Sequence, residues 1–247
     1  MKRSHRLRTL GTALSSLGLS LFASTALAAE DHGADDTSAN AQALGTHQKN
    51  VRVDVGARTQ FVKSAGLDPF SKNDVIGQLS LQASFAFWAQ DALSLAVVGG
   101  FDHGGSSANA RSDETSLDLR RFILAPEVRY HLFRVVALTA KVGPTITREA
   151  VEVSGGLGTP MTKTAWKMGF DATAGAAVEL WGYANGNSHK PRLWLLGEGG
   201  YGWTAPMPLD LHPSDSGAAP QRLTPLTLDD LSLAGPLFRV TVGLSFW

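Results

Sequence analysis

The stretch Phe238-Arg-Val-Thr-Val-Gly-Leu-Ser-Phe246-Trp247 decides the fold, because apolar and polar residues alternate through it until two aromatic residues follow each other. A period of two predicts a β-strand. Alternate side chains of a strand lie on opposite faces, so one face here is apolar and the other is small or polar. The apolar face carries Phe238, Val240, Val242, Leu244 and Phe246. The sequence therefore predicts a two-faced strand at residues 238–246.

The same alternation predicts seven further strands upstream. They lie at residues 51–61, 75–89, 93–101, 117–130, 136–147, 166–180 and 193–203. The predicted connections are short at 90–91, 131–134 and 183–190, and long at 63–73, 102–115, 148–162 and 204–230. Alternating short and long connections are typical of an up-and-down antiparallel barrel. In the fourth strand Leu117 and Leu119 are out of phase with Phe122, which predicts a β-bulge near Arg120 and Arg121.

The apolar faces of the eight predicted strands carry no charged residue. After residue 28 no run of eighteen apolar residues occurs, so no helix is predicted to span a membrane. A chain that crosses lipid with strands needs a closed barrel, because every backbone N–H and C=O there requires an internal partner. Aromatic residues near strand ends fit the interfacial girdles of such a barrel: Tyr130, Trp166, Trp181, Trp203, Phe246 and Trp247. We therefore predict an all-β fold, an eight-stranded antiparallel up-and-down transmembrane β-barrel.

A secreted barrel of lipocalin type is the soluble alternative, with its apolar face turned inward around a ligand. The charge-free faces, the aromatic residues and the alternating connections favour the membrane barrel. Pro126 and Pro144 count against a closed barrel, because such a barrel has no edge strand in which a missing N–H donor is harmless. Bulges at the two prolines are the interpretation that keeps the barrel closed.

The N-terminal segment has the parts of a secretory signal peptide in the usual order. Four basic residues precede an apolar core at 10–27, and Ala26-Leu27-Ala28 supplies small residues for cleavage. We predict a signal peptide at 1–28, a flexible periplasmic leader at 29–50 and the barrel at 51–247. Removing four positive charges from a chain of zero net charge leaves a slightly acidic protein, without the basic signature of nucleic-acid binding. Since the chain has no cysteine, it has neither a disulfide nor a thiol nucleophile.

The alternation and the last strand together resemble the OmpA/OmpX-type eight-stranded outer-membrane barrels of Gram-negative bacteria. The resemblance covers residues 51–247 and is architectural. It implies export through the Sec translocon, insertion by the barrel-assembly machinery, contact with outer-membrane lipid and lipopolysaccharide, and a monomer with periplasmic termini and extracellular long loops. In that family the C-terminal strand is an insertion signal, and here its apolar phase ends at Phe246, one residue before the last.

The polar faces of the predicted strands supply the side chains for the lumen, because the interior of an eight-stranded barrel is just wide enough for side chains to fill it. The candidates for a structural charge cluster are Arg58, Lys141, Glu198 and Arg239, accompanied by Gln78 and Gln82. Counting residues from one end of the barrel puts Arg58, Glu198 and Arg239 at similar depth. We therefore expect Glu198 to pair with Arg239, and Arg58 to lie close to both.

Function is not decided by this fold, which serves several roles. The segment His212-Pro213-Ser214-Asp215 has the His-x-Ser spacing of outer-membrane lipid A deacylases but falls in a proline-rich loop, and a second cluster of Asp102 and His103 with two serines is interrupted by two glycines. No phosphate, calcium or zinc motif occurs, so we predict no catalytic residues, no cofactor and no metal. The predicted role is envelope-structural or surface-loop binding without a large pore. The alternatives are an enzyme acting on lipid A acyl chains and a narrow channel for small apolar molecules.

Overall fold

The computed structural model describes residues 51–110, 113–155, 160–182, 191–213 and 226–246. The predicted signal peptide and leader, together with Trp247, lie outside these residues. The described part of the chain forms ten strands: β1 (Val51–Phe61), β2 (Val75–Gln90), β3 (Leu93–Ala110), β4 (Asp113–Phe133), β5 (Val136–Gly155), β6 (Met161–Trp181), β7 (Arg192–Thr204), β8 (Met207–Pro213), β9 (Leu226–Leu231) and β10 (Gly235–Phe246). In the described ranges, no helix is long and apolar enough to cross a membrane.

Eight of these strands close into a barrel. Strands β1 to β7 pair in chain order, and β10 pairs with both β7 and β1, all antiparallel. The closing ladder between β1 and β10 runs from Val51 opposite Phe246 to Gln60 opposite Leu237. Every barrel strand therefore has a neighbour on each side, and the predicted eight-stranded up-and-down barrel is confirmed.

The two ends of the barrel differ in their connections. At one end, here called the turn end, two residues join β2 to β3 and two join β4 to β5, and Asp91 in the first of these turns has a φ of 49°. At the other end, the loop end, lie the connection 62–74 and the segment 205–234 with the β8–β9 hairpin, although two residues join β3 to β4 there and ten residues join β6 to β7 at the turn end. Between the two ends the outer surface is a belt of exposed apolar side chains, such as Leu79, Leu124 and Met168. A closed barrel with an apolar outer belt and a polar interior is the architecture of bacterial outer-membrane proteins, and the chain has this architecture.

The strands are longer at the loop end than the sequence predicts. The predicted loop 102–115 is wrong, because β3 continues to Ala110, β4 begins at Asp113, and the two pair throughout. The predicted loop 148–162 is wrong for the same reason, since β5 reaches Gly155 and β6 begins at Met161. The predicted loop 204–230 contains the hairpin of β8 and β9. Between the belt and the loop end, the strands no longer alternate an apolar outward face with a polar inward face. These segments therefore have the Gly, Ser and charged composition of loops.

The predicted bulge at Arg120 and Arg121 is also wrong. Pairing of β4 with β3 and β5 is continuous across these residues, and the irregularities lie near the turn end, at Ala86/Trp88, His131/Phe133 and Glu179/Trp181. Inward side chains of β4 alternate without a break, and they include both Leu117 and Leu119. The apparent change of phase is a change in the polarity of the interior along a regular strand.

Pro126 and Pro144 are placed without the bulges proposed for them. Both lie where the β4–β5 ladder is interrupted, between the pair Ile123–Thr145 and the pair Glu127–Lys141, and the register is the same on both sides of the gap. On their other sides Pro126 pairs with Val97 of β3, and Pro144 with Phe170 of β6. The two prolines therefore share one gap in one ladder, which limits the lost pairing to a single place.

The loop end of the interior contains an apolar core, here called the apolar cap. Its members come from the first connection, from inward positions of β2, β4, β5 and β6, and from the β8–β9 hairpin and the residues after it: Val62, Leu67, Phe70, Ile76, Leu117, Leu119, Val151, Met161, Met207, Leu209, Leu211, Leu231 and Leu233. Burial of so many large side chains stabilises the cap through the hydrophobic effect. The cap covers the interior beneath it.

Hydrogen bonds join the first connection to the last one across the barrel closure. The Ser64 hydroxyl donates to the Asp230 carbonyl over 3.3 Å and accepts from the Ser232 N–H over 3.3 Å. The Gln60 amide donates to the Leu233 carbonyl over 3.1 Å. These bonds link the end of β1 and the segment that follows it to residues shortly before β10, and β1 and β10 are neighbouring strands of the closing ladder.

Candidate functional site: a lumenal charge chain beneath an apolar cap

Seven buried charged residues form a continuous chain of ion pairs inside the belt. Cations and anions alternate along it in the order Lys141, Glu198, Arg239, Asp102, Arg58, Asp171, Arg121. Each residue comes from a different strand, respectively β5, β7, β10, β3, β1, β6 and β4. We call this set the lumenal charge chain, and it connects seven of the eight barrel strands through side chains.

Each carboxylate of the chain lies between two cations. Glu198 is 2.7 Å from Lys141 Nζ and 3.1 Å from Arg239 Nη1. Asp102 is 3.2 Å from Arg239 Nη2 and 3.6 Å from Arg58 Nε. Asp171 is 3.3 Å from Arg58 Nη2 and 2.9 Å from Arg121 Nη1. Desolvated charges are stabilised only when they are paired. Because each carboxylate bridges two cations, three anions are enough to pair all four cations of the chain.

The eighth strand, β2, contributes neutral amides to the same chain. Gln82 accepts a hydrogen bond of 2.8 Å from Lys141 Nζ, and Gln78 accepts one from Arg58 Nη1. Arg121 uses its remaining donors on hydroxyl oxygens, with Thr147 at 3.2 Å and Thr204 at 3.1 Å. The chain is thus tied to every strand of the barrel.

The structure brings the four sequence-predicted lumenal charges together. Arg58, Lys141, Glu198 and Arg239 all point inward, and Arg239 lies opposite Arg58 on one side and Glu198 on the other. Sequence reasoning missed the other three members. It assigned Asp102 to a loop and Arg121 to a bulge, and it did not select Asp171, which lies within the predicted strand 166–180. The uninterrupted alternation of β4 is the signal that identifies Arg121.

A second ionic cluster lies nearer the turn end. Arg52 is 3.0 Å from Asp54 and 3.4 Å from Glu127, and Glu127 also accepts a hydrogen bond from Arg129. Close by, the Trp194 indole donates to the Ser245 hydroxyl over 3.0 Å and packs in a small apolar cluster with Leu196. The interior is therefore occupied by side chains below the charge chain as well as above it.

Glu149 occupies the boundary between the charge chain and the apolar cap. It points inward from β5 beyond Ile146, the last large outward apolar residue of that strand, and neither of its carboxylate oxygens has a hydrogen-bond partner. Its neighbour in β4 is Leu119, a cap residue. Burial raises the pKa of the Glu149 carboxyl to about 8, against the opposing influence of Arg121 and Lys167. An uncharged Glu149 at neutral pH fits this position under apolar side chains.

The interfacial aromatic residues predicted from the sequence lie on the outer surface. Tyr130, Trp181 and Phe246 are exposed near the turn end, and Trp166 and Trp203 are exposed near the loop end. Trp203 contacts Phe170 at a ring-centroid distance of 5.8 Å, and Trp166 stacks on Phe122 at 6.3 Å. The sixth predicted residue, Trp247, lies outside the described residues.

Of the two candidate catalytic clusters, the one of Asp102 and His103 is not assembled, and the one at 212–215 lies partly outside the described residues. Asp102 is buried and pairs with arginines in the lumen, whereas His103 points outward, so the two side chains lie on opposite faces of β3. His212 lies at the end of β8 opposite Thr162, and the serine and aspartate that follow it lie outside the described residues. Within the residues that the structure describes, no group of three His, Cys, Asp or Glu side chains is arranged to hold a metal ion.

Comparisons with known proteins show similarity in solved structures alone. No family model and no curated protein matches the chain. Ail, the attachment invasion locus protein of Yersinia pestis, is 11% identical over 81% of this chain and 99% of that chain, with a TM-score of 0.43. Neisserial surface protein A is 11% identical over 80% and 95%, with a TM-score of 0.44. The outer-membrane protease OmpT of Escherichia coli is 9% identical over 81% and 97%, with a TM-score of 0.41.

The order of the strands identifies the architecture of the barrel. Eight antiparallel strands close in chain order, with β10 inserted between β7 and β1, around a lumen filled by ion pairs. An apolar belt surrounds these strands on the outside. The resemblance to OmpA/OmpX-type eight-stranded outer-membrane barrels is thereby confirmed as a resemblance of architecture.

Proposed function

We propose that the protein is a structural and surface-binding component of the outer membrane, with no catalytic activity and no conducting pore. The filled interior supports this role. The lumenal charge chain crosses the barrel at the level of the belt, and the apolar cap lies between it and the loop end. A permeating solute would have to separate buried ion pairs and also pass an apolar core, and both steps are costly.

The proposed orientation places the turn end in the periplasm and the loop end outside the cell. Short turns face the periplasm and longer loops face outward in outer-membrane barrels. Strands β3 to β6 continue past the belt and carry exposed polar residues such as Asp118 and Arg120. This extended wall and the connections beside it are the surface on which we place binding.

The proposed partners follow from the same surface. Outer-membrane lipid and lipopolysaccharide contact the apolar belt and the residues just above it. The Sec translocon and the barrel-assembly machinery act during biogenesis. Since the closed barrel leaves no strand edge for pairing between copies, the protein works as a monomer.

Planar-bilayer recording tests the closed lumen. The refolded protein should show a faster electrophoretic mobility when unheated than when boiled, which establishes a closed barrel, and the same preparation should give no stable conductance steps. Discrete steps from protein that passes the mobility test would contradict a sealed interior and favour the narrow channel.

Mass spectrometry of lipid A tests the absence of catalysis. Cells that contain the protein and cells that lack it should give the same acyl-chain pattern. A protein-dependent loss or gain of an acyl chain would overturn the non-enzymatic role. His212→Ala would then show whether the histidine on β8 takes part.

A further inference from the structure

An outward-facing row of basic residues lies directly above the apolar belt. His103 of β3 is opposite Arg120 of β4, Arg120 is opposite Arg148 of β5, and Arg148 is opposite Trp166 of β6. Directly paired residues of antiparallel strands have Cα atoms about 4.5–5.5 Å apart. The three basic side chains, here called the outer basic row, therefore lie side by side on three neighbouring strands.

The row beneath the outer basic row is apolar and partly aromatic. Phe101, Phe122, Ile146 and Met168 occupy the next outward positions on the same four strands. The Phe101 ring lies 5.0 Å from Phe122 and is stacked on His103 at 6.3 Å. The transition from apolar to basic side chains takes a single step along each strand from β3 to β5, which is the arrangement expected where hydrocarbon meets lipid headgroups.

The outer basic row has fewer neighbouring carboxylates than basic side chains. All three of its side chains approach one carboxylate, Asp118, at 3.8 Å from His103, 3.4 Å from Arg120 and 3.6 Å from Arg148. Asp118 Oδ1 accepts no hydrogen bond. Exposed ion pairs of this kind contribute little, so the two guanidinium groups keep donors for another anion.

Charge is also sorted by height on this wall. The exposed carboxylates Glu114 and Glu152 share the outer face with the row but lie farther along β4 and β5 from the belt. Positive charge is therefore concentrated next to the membrane and negative charge away from it. A soluble anionic partner would meet the carboxylates first, whereas a lipid in the membrane meets the basic row first.

We propose that the outer basic row is a binding site for the phosphate groups of a phosphorylated glycolipid, lipopolysaccharide, whose acyl chains lie on the apolar belt below. This proposal rests on the proposed orientation, which puts the loop end in the outer leaflet. Arginine binds phosphate oxygens through paired N–H donors, and Arg120 and Arg148 present two such groups on adjacent strands. Trp166 closes the row at the level of the headgroups.

Native mass spectrometry of the refolded protein in detergent micelles tests the site, with diphosphorylated lipid A as the probe. The wild-type protein should bind it more tightly than lipid A lacking phosphates and more tightly than phosphatidylglycerol. The double variant Arg120→Gln/Arg148→Gln should bind it at least about tenfold more weakly, the loss expected for one charge-assisted hydrogen bond. Equal binding by wild type and double variant would overturn the site.

A variant with the opposite expected effect separates binding from a structural role. Asp118→Asn removes the competing carboxylate, so it should bind diphosphorylated lipid A at least as tightly as the wild type. Lys63→Gln/Lys72→Gln, which removes two exposed lysines from the connection between β1 and β2, should leave binding unchanged. Weaker binding by Asp118→Asn, or an equal loss in the lysine variant, would contradict the proposal.

The mobility of each variant in unheated gels shows whether it is folded, and the single variant Arg148→Gln replaces the double variant if that one fails to fold. Tighter binding of phosphatidylglycerol than of lipid A would reject lipopolysaccharide as the partner. Chemical labelling of cysteines placed at the two ends in intact cells tests the orientation separately. Labelling at the turn end would overturn the orientation, whereas the micelle experiment reports on the row itself.

Discussion

The lumenal charge chain and the apolar cap fill the same barrel with opposite chemistry. Within the belt the interior carries arginines, carboxylates and glutamines, and above it the interior carries leucines, methionines and a phenylalanine. A single strand shows both, since β4 points Arg121 and Glu127 inward within the belt and Leu117 and Leu119 inward above it. Where the outer surface of the barrel is apolar, the interior is polar. Where the outer surface is polar, the interior is apolar.

The physical reason is the change of solvent around the barrel. Inside the membrane the outer surface must be apolar, so the polar residues of each strand can only point inward. Above the membrane the outer surface meets water, and apolar side chains gain free energy by moving inside. The two regions should therefore fail differently when they are altered.

Removal of Glu198 should have the largest effect, because it leaves Lys141 without its carboxylate and Arg239 with only one. Glu198→Gln should lower the free energy of unfolding by about 3–5 kcal/mol, the cost of breaking a buried ion pair by removing one partner. The double variant Lys141→Met/Glu198→Gln should lose less. Urea unfolding in detergent measures both, and a double variant that is less stable than the single one would show that the pairs are not what stabilises this region.

Truncation in the apolar cap should have a smaller and more local effect. Leu209→Ala removes a fully buried side chain of β8, which should cost about 2–4 kcal/mol through lost burial and a cavity. Proteolysis should then cut the β8–β9 hairpin while the heat-dependent mobility of the barrel stays unchanged. Thr227→Ala, at an exposed position of β9, is the matched control. Loss of the barrel itself in Leu209→Ala would show that the cap and the charge chain unfold together.

Replacement of Glu149 should have the smallest effect of the three at pH 5, and its effect should depend on pH. Its pKa is raised from 4.5 to about 8, so the folded protein binds more protons than the unfolded chain between these values, and this residue lowers stability as the pH rises through that range. Glu149→Gln should flatten the dependence, adding about 1 kcal/mol at pH 5 and up to about 4 kcal/mol at pH 8, since one pKa unit corresponds to about 1.4 kcal/mol. Thermal unfolding at pH 5 and pH 8 measures it, and an unchanged slope would place the ionised carboxylate in a polar site.

The sequence predicts the belt well, because there both faces of each strand follow one rule. The inward directions of Arg58 and Arg239 and the outward direction of Phe238 all follow from a period of two. Prediction fails between the belt and the loop end, where apolar side chains point inward and polar ones point outward. Leu117 and Leu119 therefore look out of phase in the sequence, and 102–115 has the composition of a loop. Of the ion pairs, the sequence predicts Glu198 with Arg239, whose atoms lie 3.1 Å apart on neighbouring strands, but it does not predict the partners that meet across the lumen. Asp102 reaches Arg58 and Arg239 across the lumen, and such contacts depend on the stagger of the closed barrel.

The hydrogen bonds that join the first connection to the last one have a consequence for folding kinetics. Ser64 bonds to Asp230 and Ser232, and Gln60 bonds to Leu233, over sequence separations of 166, 168 and 173 residues. Contacts between residues so far apart in the sequence form late, because closing the long intervening loop costs conformational entropy first. The bonds become available only once β1 has met β10, and they then hold that last ladder from the loop end. Formation of the cap thus stabilises the closed β1–β10 ladder and should slow its opening.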